Sequence, residues 1–253
     1  MRRARTRAAV ARLGRSAAAL ALLCGPVAGA WAATALQATR LVVAAEHGEA
    51  SIVVRNDDPR PALMQVWIDD GRAAAALEEL DVPLQVLQPL LRIEPHTDQA
   101  IRVRALRDDR LPIDRERLYW LNVMEIPRRA PAQDTAAAVQ ADAIEVAVRS
   151  RIKLIYRPAG LRGTLQEAGA GLRWQVLAGD AGVRVRNDSP RVVNLASARS
   201  GDGRTAALED GSVPPFGERT FQWEGAAAAV GKAGITYEWI DDLGQVHSQQ
   251  TPP

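Results

Sequence analysis

The chain has 253 residues, 47% of them apolar and 25% charged, the balance of an ordinary globular protein rather than a disordered or fibrous one. Its formal charge of +2 is set by the first 32 residues, which carry six arginines and no acid; without them 26 basic residues face 30 acidic ones, a net charge of about −4. With no basic patch interleaved with aromatics, that balance argues against a nucleic-acid partner.

Arg2, Arg3, Arg5, Arg7, Arg12 and Arg15 precede an apolar run from Ala17 to Val27 that small residues close. This is the layout of a secretory signal peptide. Cleavage is expected after Ala30 or, preferably, after Ala32, so residues 1–32 are assigned to the signal. The run is too short for a permanent membrane span, and no stable membrane insertion is expected. The only cysteine, Cys24, lies inside it. Leu22 and Leu23 before it make a poor lipoprotein processing site, so the exported chain would rely on hydrophobic cores without disulfides.

From Ala33 onward most of the sequence alternates with period two between clusters of Gly, Pro, Asp and Asn, the pattern of short strands. Strands are expected at Leu36–Ala45, Glu49–Arg55, Ala62–Asp69, Leu84–Ile93, Gln99–Ala105, Leu118–Glu125 and Ala143–Tyr156. A helical turn is possible within Ala73–Leu80. Seven strands in this length imply a β-sandwich. The segment Ile126–Asp142, rich in Ala, Pro and Gln, has no periodic apolar face and reads as a long loop, a common carrier of function.

After Arg157-Pro158-Ala159-Gly160, a natural hinge, the pattern restarts. Strands are expected near Leu172–Leu177, Gly182–Arg186, Val192–Ala198, Arg219–Gln222 and Ile235–Ile240. The stretch Val54-Arg55-Asn56-Asp57-Asp58-Pro59-Arg60 recurs as Val185-Arg186-Asn187-Asp188-Ser189-Pro190-Arg191, a turn at the same point of each half. Two domains follow, residues 33–158 and 159–253.

The segment Ile144–Arg157 is the most informative. Ile144, Val146, Val148, Ser150, Ile152, Leu154 and Tyr156 fall on one parity, and Glu145, Ala147, Arg149, Arg151, Lys153, Ile155 and Arg157 on the other, so one face is apolar and the other mostly charged. Fourteen residues at ~3.3 Å each span ~46 Å, longer than a usual sandwich strand. Part of it must overhang or edge its own domain, which makes it a template for strand addition to another chain. The alternative is a long strand paired wholly within its own sheet.

Several segments resemble the periplasmic pilus (fimbrial) assembly chaperones. They are Thr39-Arg40, Gln88–Pro95, the run Leu111-Pro112-Ile113-Asp114-Arg115-Glu116-Arg117-Leu118-Tyr119-Trp120-Leu121-Asn122-Val123, Glu125-Ile126-Pro127 and Arg151-Ile152-Lys153-Leu154-Ile155-Tyr156-Arg157-Pro158. Looser matches follow at Leu172-Arg173-Trp174, Asn187–Pro190, Pro214-Pro215-Phe216 and Ile240–Gly244. The resemblance implies an all-β chain of two immunoglobulin-like β-sandwich domains in an L-shaped arrangement, located in the periplasm. It implies fimbrial subunits and an outer-membrane usher as partners, no cofactor and no catalysis. Ile144, Val146 and Val148 would enter the groove that a subunit leaves open for its missing strand. Arg40 and Lys153 would hold the subunit's C-terminal carboxylate, and Glu116, Arg157 and Asp242 would form a charged cluster between the domains. Residues 126–142 depart from the family, being longer than its short-loop form and lacking the paired cysteines of its long-loop form.

A secreted adhesion or structural module with two immunoglobulin-like domains is the rival reading, in which Arg40 and Lys153 would be ordinary surface residues. An enzyme finds little support. His47, His96 and His247 have no ligand spacing, no Gly-rich phosphate loop or G-x-S-x-G elbow occurs, and the acidic pairs Asp57-Asp58, Asp69-Asp70, Glu78-Glu79 and Asp241-Asp242 fall mostly at turns, where solvation is expected.

Overall fold

The computed structural model describes residues 34–127, 147–178, 182–224 and 234–251. The expected signal peptide and most of the Ile126–Asp142 segment lie outside them. Among the described residues no helix is long and apolar enough to cross a membrane.

The first sandwich contains β1 (Thr34–Leu36), β2 (Arg40–Ala44), β3 (Glu49–Asn56), β4 (Ala62–Asp69), β5 (Leu84–Val86), β6 (Leu90–Ile93), β7 (Asp98–Ala105), β8 (Arg117–Glu125) and β9 (Arg149–Arg157), with one 3-10 turn at Leu77–Glu79. One sheet has the order β1-β3-β7-β5 and the other β2-β9-β8-β4-β6. Every pairing is antiparallel except that of β2 with β9, which is parallel. Alternate residues of each strand point inward. Met64, Val66 and Ile68 of β4, Tyr119, Leu121 and Val123 of β8, and Leu154 and Tyr156 of β9 thus meet Ile52, Val54, Ile101 and Val103 of the opposite sheet in one buried core.

Two expected strands are each split. Leu36–Ala45 divides into β1 and β2, and Leu84–Ile93 into β5 and β6, and in both cases the halves join opposite sheets. Period-two alternation persists across such a crossing, so hydrophobicity alone does not mark it. In the second case the cause is local: Pro89 has no N–H to give a ladder. Its carbonyl instead accepts from Val66, while the Leu87 N–H bonds back to Arg102.

The second sandwich opens with helix α1 (Leu165–Ala170) and holds β10 (Arg173–Val176), β11 (Val183–Asn187), β12 (Val193–Ser200), β13 (Thr205–Ala206), β14 (Ser212–Val213), β15 (Gly217–Phe221), β16 (Trp223–Glu224), β17 (Ile235–Ile240) and β18 (Val246–Gln250). Its sheets run β10-β11-β15 and β16-β13-β12-β17-β18, with β14 also on β12. The alternation pattern did not predict α1, β13, β14, β16 or β18. Strand β18 is a mostly exposed polar edge, so it lacks the apolar face that reveals a strand. The helix begins with a Thr164/Glu167 capping box, a legible signal. It lies flat on the core because Gly169 has no side chain: a Cβ there would come within 2.4 Å of the Trp239 ring.

The repeated sequence stretch builds one device twice. Asn56 is fully buried; its Nδ2 donates to the carbonyls of Arg60, Ile93 and Glu94, and its Oδ1 accepts from the Asp58 N–H. Asn187 repeats this with the carbonyls of Arg191, Val213 and Pro214 and the N–H of Ser189. Each amide satisfies backbone groups of a turn and of a neighbouring loop that water does not reach, and leaving such groups unpaired is costly. Replacing either asparagine by alanine should destabilise the protein by about 1–3 kcal/mol, read as an earlier midpoint in urea unfolding; an unchanged midpoint would mean that these bonds add nothing net.

Candidate functional site

The expected anchor residues are brought together by strand register. In the parallel pairing of β2 with β9, Arg40 stands opposite Lys153. Lys153 stands opposite Trp120 of β8, and Trp120 opposite Asp69 of β4. Arg40, Lys153, Trp120 and Asp69 therefore form one row across four strands, spaced ~4.8 Å from strand to strand. The row lies on the face turned away from the first core and toward the second sandwich.

Arg40 is 7% exposed. Its Nη1 donates to the Ile240 carbonyl at 3.2 Å, while its Nε is buried with no hydrogen-bond partner among the described residues. Burial lowers its pKa, and Asp242 and Asp241 pull the other way. The Lys153 ammonium donates to Asn194 Oδ1 at 2.7 Å and to the Asp210 carbonyl at 2.5 Å. Burial pushes its pKa down to about 8, helped by the nearby Arg40 and Arg219 and opposed by Asp210. Both cations thus reach carbonyl and amide oxygens of the second sandwich, and their described hydrogen bonds go to neutral oxygens rather than to a carboxylate.

The carbonyl that faces Lys153 is set by a tight turn. Gly211 has a φ of +62°, and a Cβ on it would lie 2.4 Å from the Leu195 carbonyl oxygen. Only glycine accepts both conditions. Asp210 beside it is fixed through the Ser212 N–H and hydroxyl at 2.7 Å each.

Glu116, Arg157 and Asp242 also meet. Arg157 Nε donates to Glu116 Oε1 at 2.5 Å, and its two terminal nitrogens bind the Asp242 carboxylate at 2.8 and 3.0 Å. Burial acts to lower the Arg157 pKa, but Asp242 and Glu116 more than offset it, so the group is held firmly charged. Glu116, with 0% side-chain exposure, also accepts from Arg191 and from the Val192 N–H. Arg191 was not anticipated, since a turn arginine in a polar stretch carries no sign of its partner.

The expected groove-filling residues are only partly visible. Ile144 and Val146 lie outside the described residues. Val148 lies within them, 61% exposed, and its carbonyl accepts from the Glu125 N–H. From Arg149 to Ile152 strand β9 pairs with β8 on one side, and among the described residues no strand pairs its other side, because β2 joins only from Lys153 onward.

A second network escaped the sequence reading. Asp69, expected to be solvated, is fully buried. Its oxygens accept from Arg151 Nη2 at 2.7 Å, from Arg151 Nε at 3.0 Å, from Asn122 Nδ2 at 2.9 Å and from the Gly71 N–H at 2.8 Å. Burial acts to raise its pKa, but the bonds from Arg151, Asn122 and Gly71 more than offset it, so the carboxylate stays ionised. Arg149 donates twice to Asn122 Oδ1 and lies over the Trp67 ring, while Arg151 lies over Trp120. The reading failed because an Asp-Asp-Gly stretch looks like a turn whichever way its first side chain points.

Residues 33–162 match the family described as pili and flagellar-assembly chaperone, PapD N-terminal domain, and residues 167–251 match the pili assembly chaperone PapD, C-terminal domain. The chain is 33% identical to the chaperone protein FimB/FhaD of Bordetella pertussis, across 94% of this chain and 96% of that protein. Its structure is similar to that of the Pseudomonas aeruginosa CupB2 chaperone, with 34% identity, a TM-score of 0.69, and 85% and 98% of the two chains covered. It is also similar to the Salmonella enterica SafB chaperone in complex with the SafA pilin, with 27% identity, a TM-score of 0.71, and 89% and 99% covered. Two immunoglobulin-like sandwiches, matched along nearly the whole described chain, place this protein in the PapD-type pili assembly chaperone family.

Proposed function

We propose that the protein folds and caps fimbrial subunits in the periplasm by lending them the segment that leads into β9, and passes them to an outer-membrane usher without catalysis or cofactor. The observation that carries this reading is the open edge of β9 that stops at two buried cations. A chain that adds to this edge meets β2 at Arg40 and cannot continue. A strand added parallel to β9 would therefore end at the Arg40 and Lys153 row, where its terminal carboxylate would lie near the unpartnered Arg40 Nε–H and the Lys153 ammonium. Charge-assisted hydrogen bonds of this kind are worth roughly 1.5–3 kcal/mol each. They would also fix register, since a one-residue slip turns every side chain of an added strand to the wrong face.

Ile144, Val146 and Val148 share the parity of the core-facing Ile152 and Leu154, so an extended continuation of β9 presents them as one apolar row. They would complete a subunit core while main-chain bonds along the edge hold the added strand. Strand addition supplies the driving force, so no nucleotide is required. The arginine-led apolar segment in residues 1–32 supports export, and the matches of residues 33–162 and 167–251 support domains at 33–158 and 159–253.

Three outcomes are expected. Fimbrial subunits encoded in the same gene cluster should co-purify from periplasm with the wild-type chain and be lost with folded Arg40→Ala and Lys153→Ala variants; equal recovery would make both residues ordinary surface groups. Subunit affinity should be nearly constant below pH 8 and fall above it by up to about tenfold per pH unit. The sign follows because Lys153, with its pKa near 8, must then take up a proton before it can hold a carboxylate; titration calorimetry of the wild-type chain across pH 6–10 checks this, and a flat profile up to pH 10 would overturn it. Finally, we assign Glu116, Arg157 and Asp242 the role of fixing the angle between the sandwiches. Arg157→Met leaves the buried Glu116 with fewer partners, so it should cost about 3 kcal/mol and broaden the solution scattering profile, whereas an unaltered profile would remove that role.

A further inference from the structure

The face of β9 that turns toward the second sandwich carries three cations in alternation, Arg149, Arg151 and Lys153. Like charges two residues apart repel, and Arg149 and Arg151 occupy the stretch where β9, among the described residues, has a strand on only one side. Two fully buried polar residues from the neighbouring strands reach under this stretch. Asp69 holds the Arg151 guanidinium through two bonds, and Asn122 holds that of Arg149 through two more, at 3.0 and 2.7 Å. Asn122 also joins the two halves, because its Nδ2 donates to Asp69. Trp67 and Trp120 lie beneath the two guanidinium planes, 4.8 and 4.0 Å from the ring centres. Arg149 further donates to the Ala73 carbonyl at 2.9 Å.

Burying a carboxylate and an amide on the face away from the core is not a cheap way to gain stability, because apolar side chains of similar volume pack there as well or better. What the network does supply is geometry. The register pairs Asn122 with Arg151 and Asp69 with Trp120. Both acceptors therefore grip a diagonal neighbour rather than the residue directly opposite, and both grips lean the same way along the sheet. A slip of β9 by one residue would turn both arginines inward, and a slip by two would offer Asn122 to the wrong arginine. The network ends at Arg149, next to the exposed Val148.

We propose that Asp69 and Asn122 are positioning residues that clamp the start of β9, and so set the single register from which the residues leading into it can be donated. This rests on the donor-strand reading above. The clamp replaces, with side-chain bonds from β4 and β8, the second ladder that this stretch of β9 lacks. It also keeps the cation row flat against the tryptophans, so that Arg151 does not compete with Lys153 for a terminal carboxylate.

Hydrogen exchange on the free protein and affinity for a co-encoded fimbrial subunit test the clamp together. In Asp69→Asn and Asn122→Ala, the amides of residues 149–152 should exchange about tenfold faster while those of Val66 and Leu154 keep their rates, and subunit affinity should fall by about tenfold. Loss of protection throughout the sandwich would mean that the network is merely structural, and unchanged exchange at 149–152 would overturn the proposal outright. Should both variants fail to fold, Arg149→Met leaves Asp69 paired with Arg151 and must show the same local loosening. If the wild-type chain binds no subunit, the donor-strand reading fails, while the exchange result still decides whether the clamp exists.

Discussion

The parallel pairing of β2 with β9 is the constraint on which the site depends. Because β2 joins at Lys153 and not before, the same strand is, among the described residues, an interior member of its sheet in its second half and an edge in its first. An edge strand is normally a liability that proteins shorten, bend or charge. Here the stretch is charged on one face and ends where β2 begins. The pairing also places Arg40 beside Lys153, two like charges in one cross-strand row.

The second sandwich contributes more than bulk. Lys153 is oriented by Asn194 and by the Asp210 carbonyl, and Arg40 by the Ile240 carbonyl, all from strands or turns of the second half. Removing these groups from water lowers the affinity of Lys153 for its own proton. The ion-paired seam of Glu116, Arg157, Arg191 and Asp242 runs beside them. A shift between the sandwiches would therefore disturb the hydrogen bonds of Arg40 and Lys153 together with the seam.

Within each half, polar residues in the interior serve geometry. Asn56 and Asn187 tie the same turn to the same neighbouring loop in both sandwiches, and Asp69 with Asn122 ties the start of β9 to its sheet. All four side chains are essentially inaccessible and multiply hydrogen-bonded, which is what makes such burial tolerable. The repeated turn was legible because its donor and acceptor groups are close in sequence. The Asp69 network was not, because its partners are 53 and 82 residues away.

By itself the sequence determined that the described chain is made of short alternating strands and that one strand is two-faced, with charge on one parity and an apolar row on the other. These are local properties, written in the order of side chains along an extended backbone with a period of two. Its motifs also pointed to the family and to Arg40, Lys153, Glu116, Arg157 and Asp242. Tertiary structure alone decided which strands neighbour one another, where two alternating runs break to change sheets, that Arg191 joins the seam, and that Asp69 is buried rather than solvated. Each of these depends on register between distant segments. Register is fixed by packing two whole faces at once, so no window of sequence carries it.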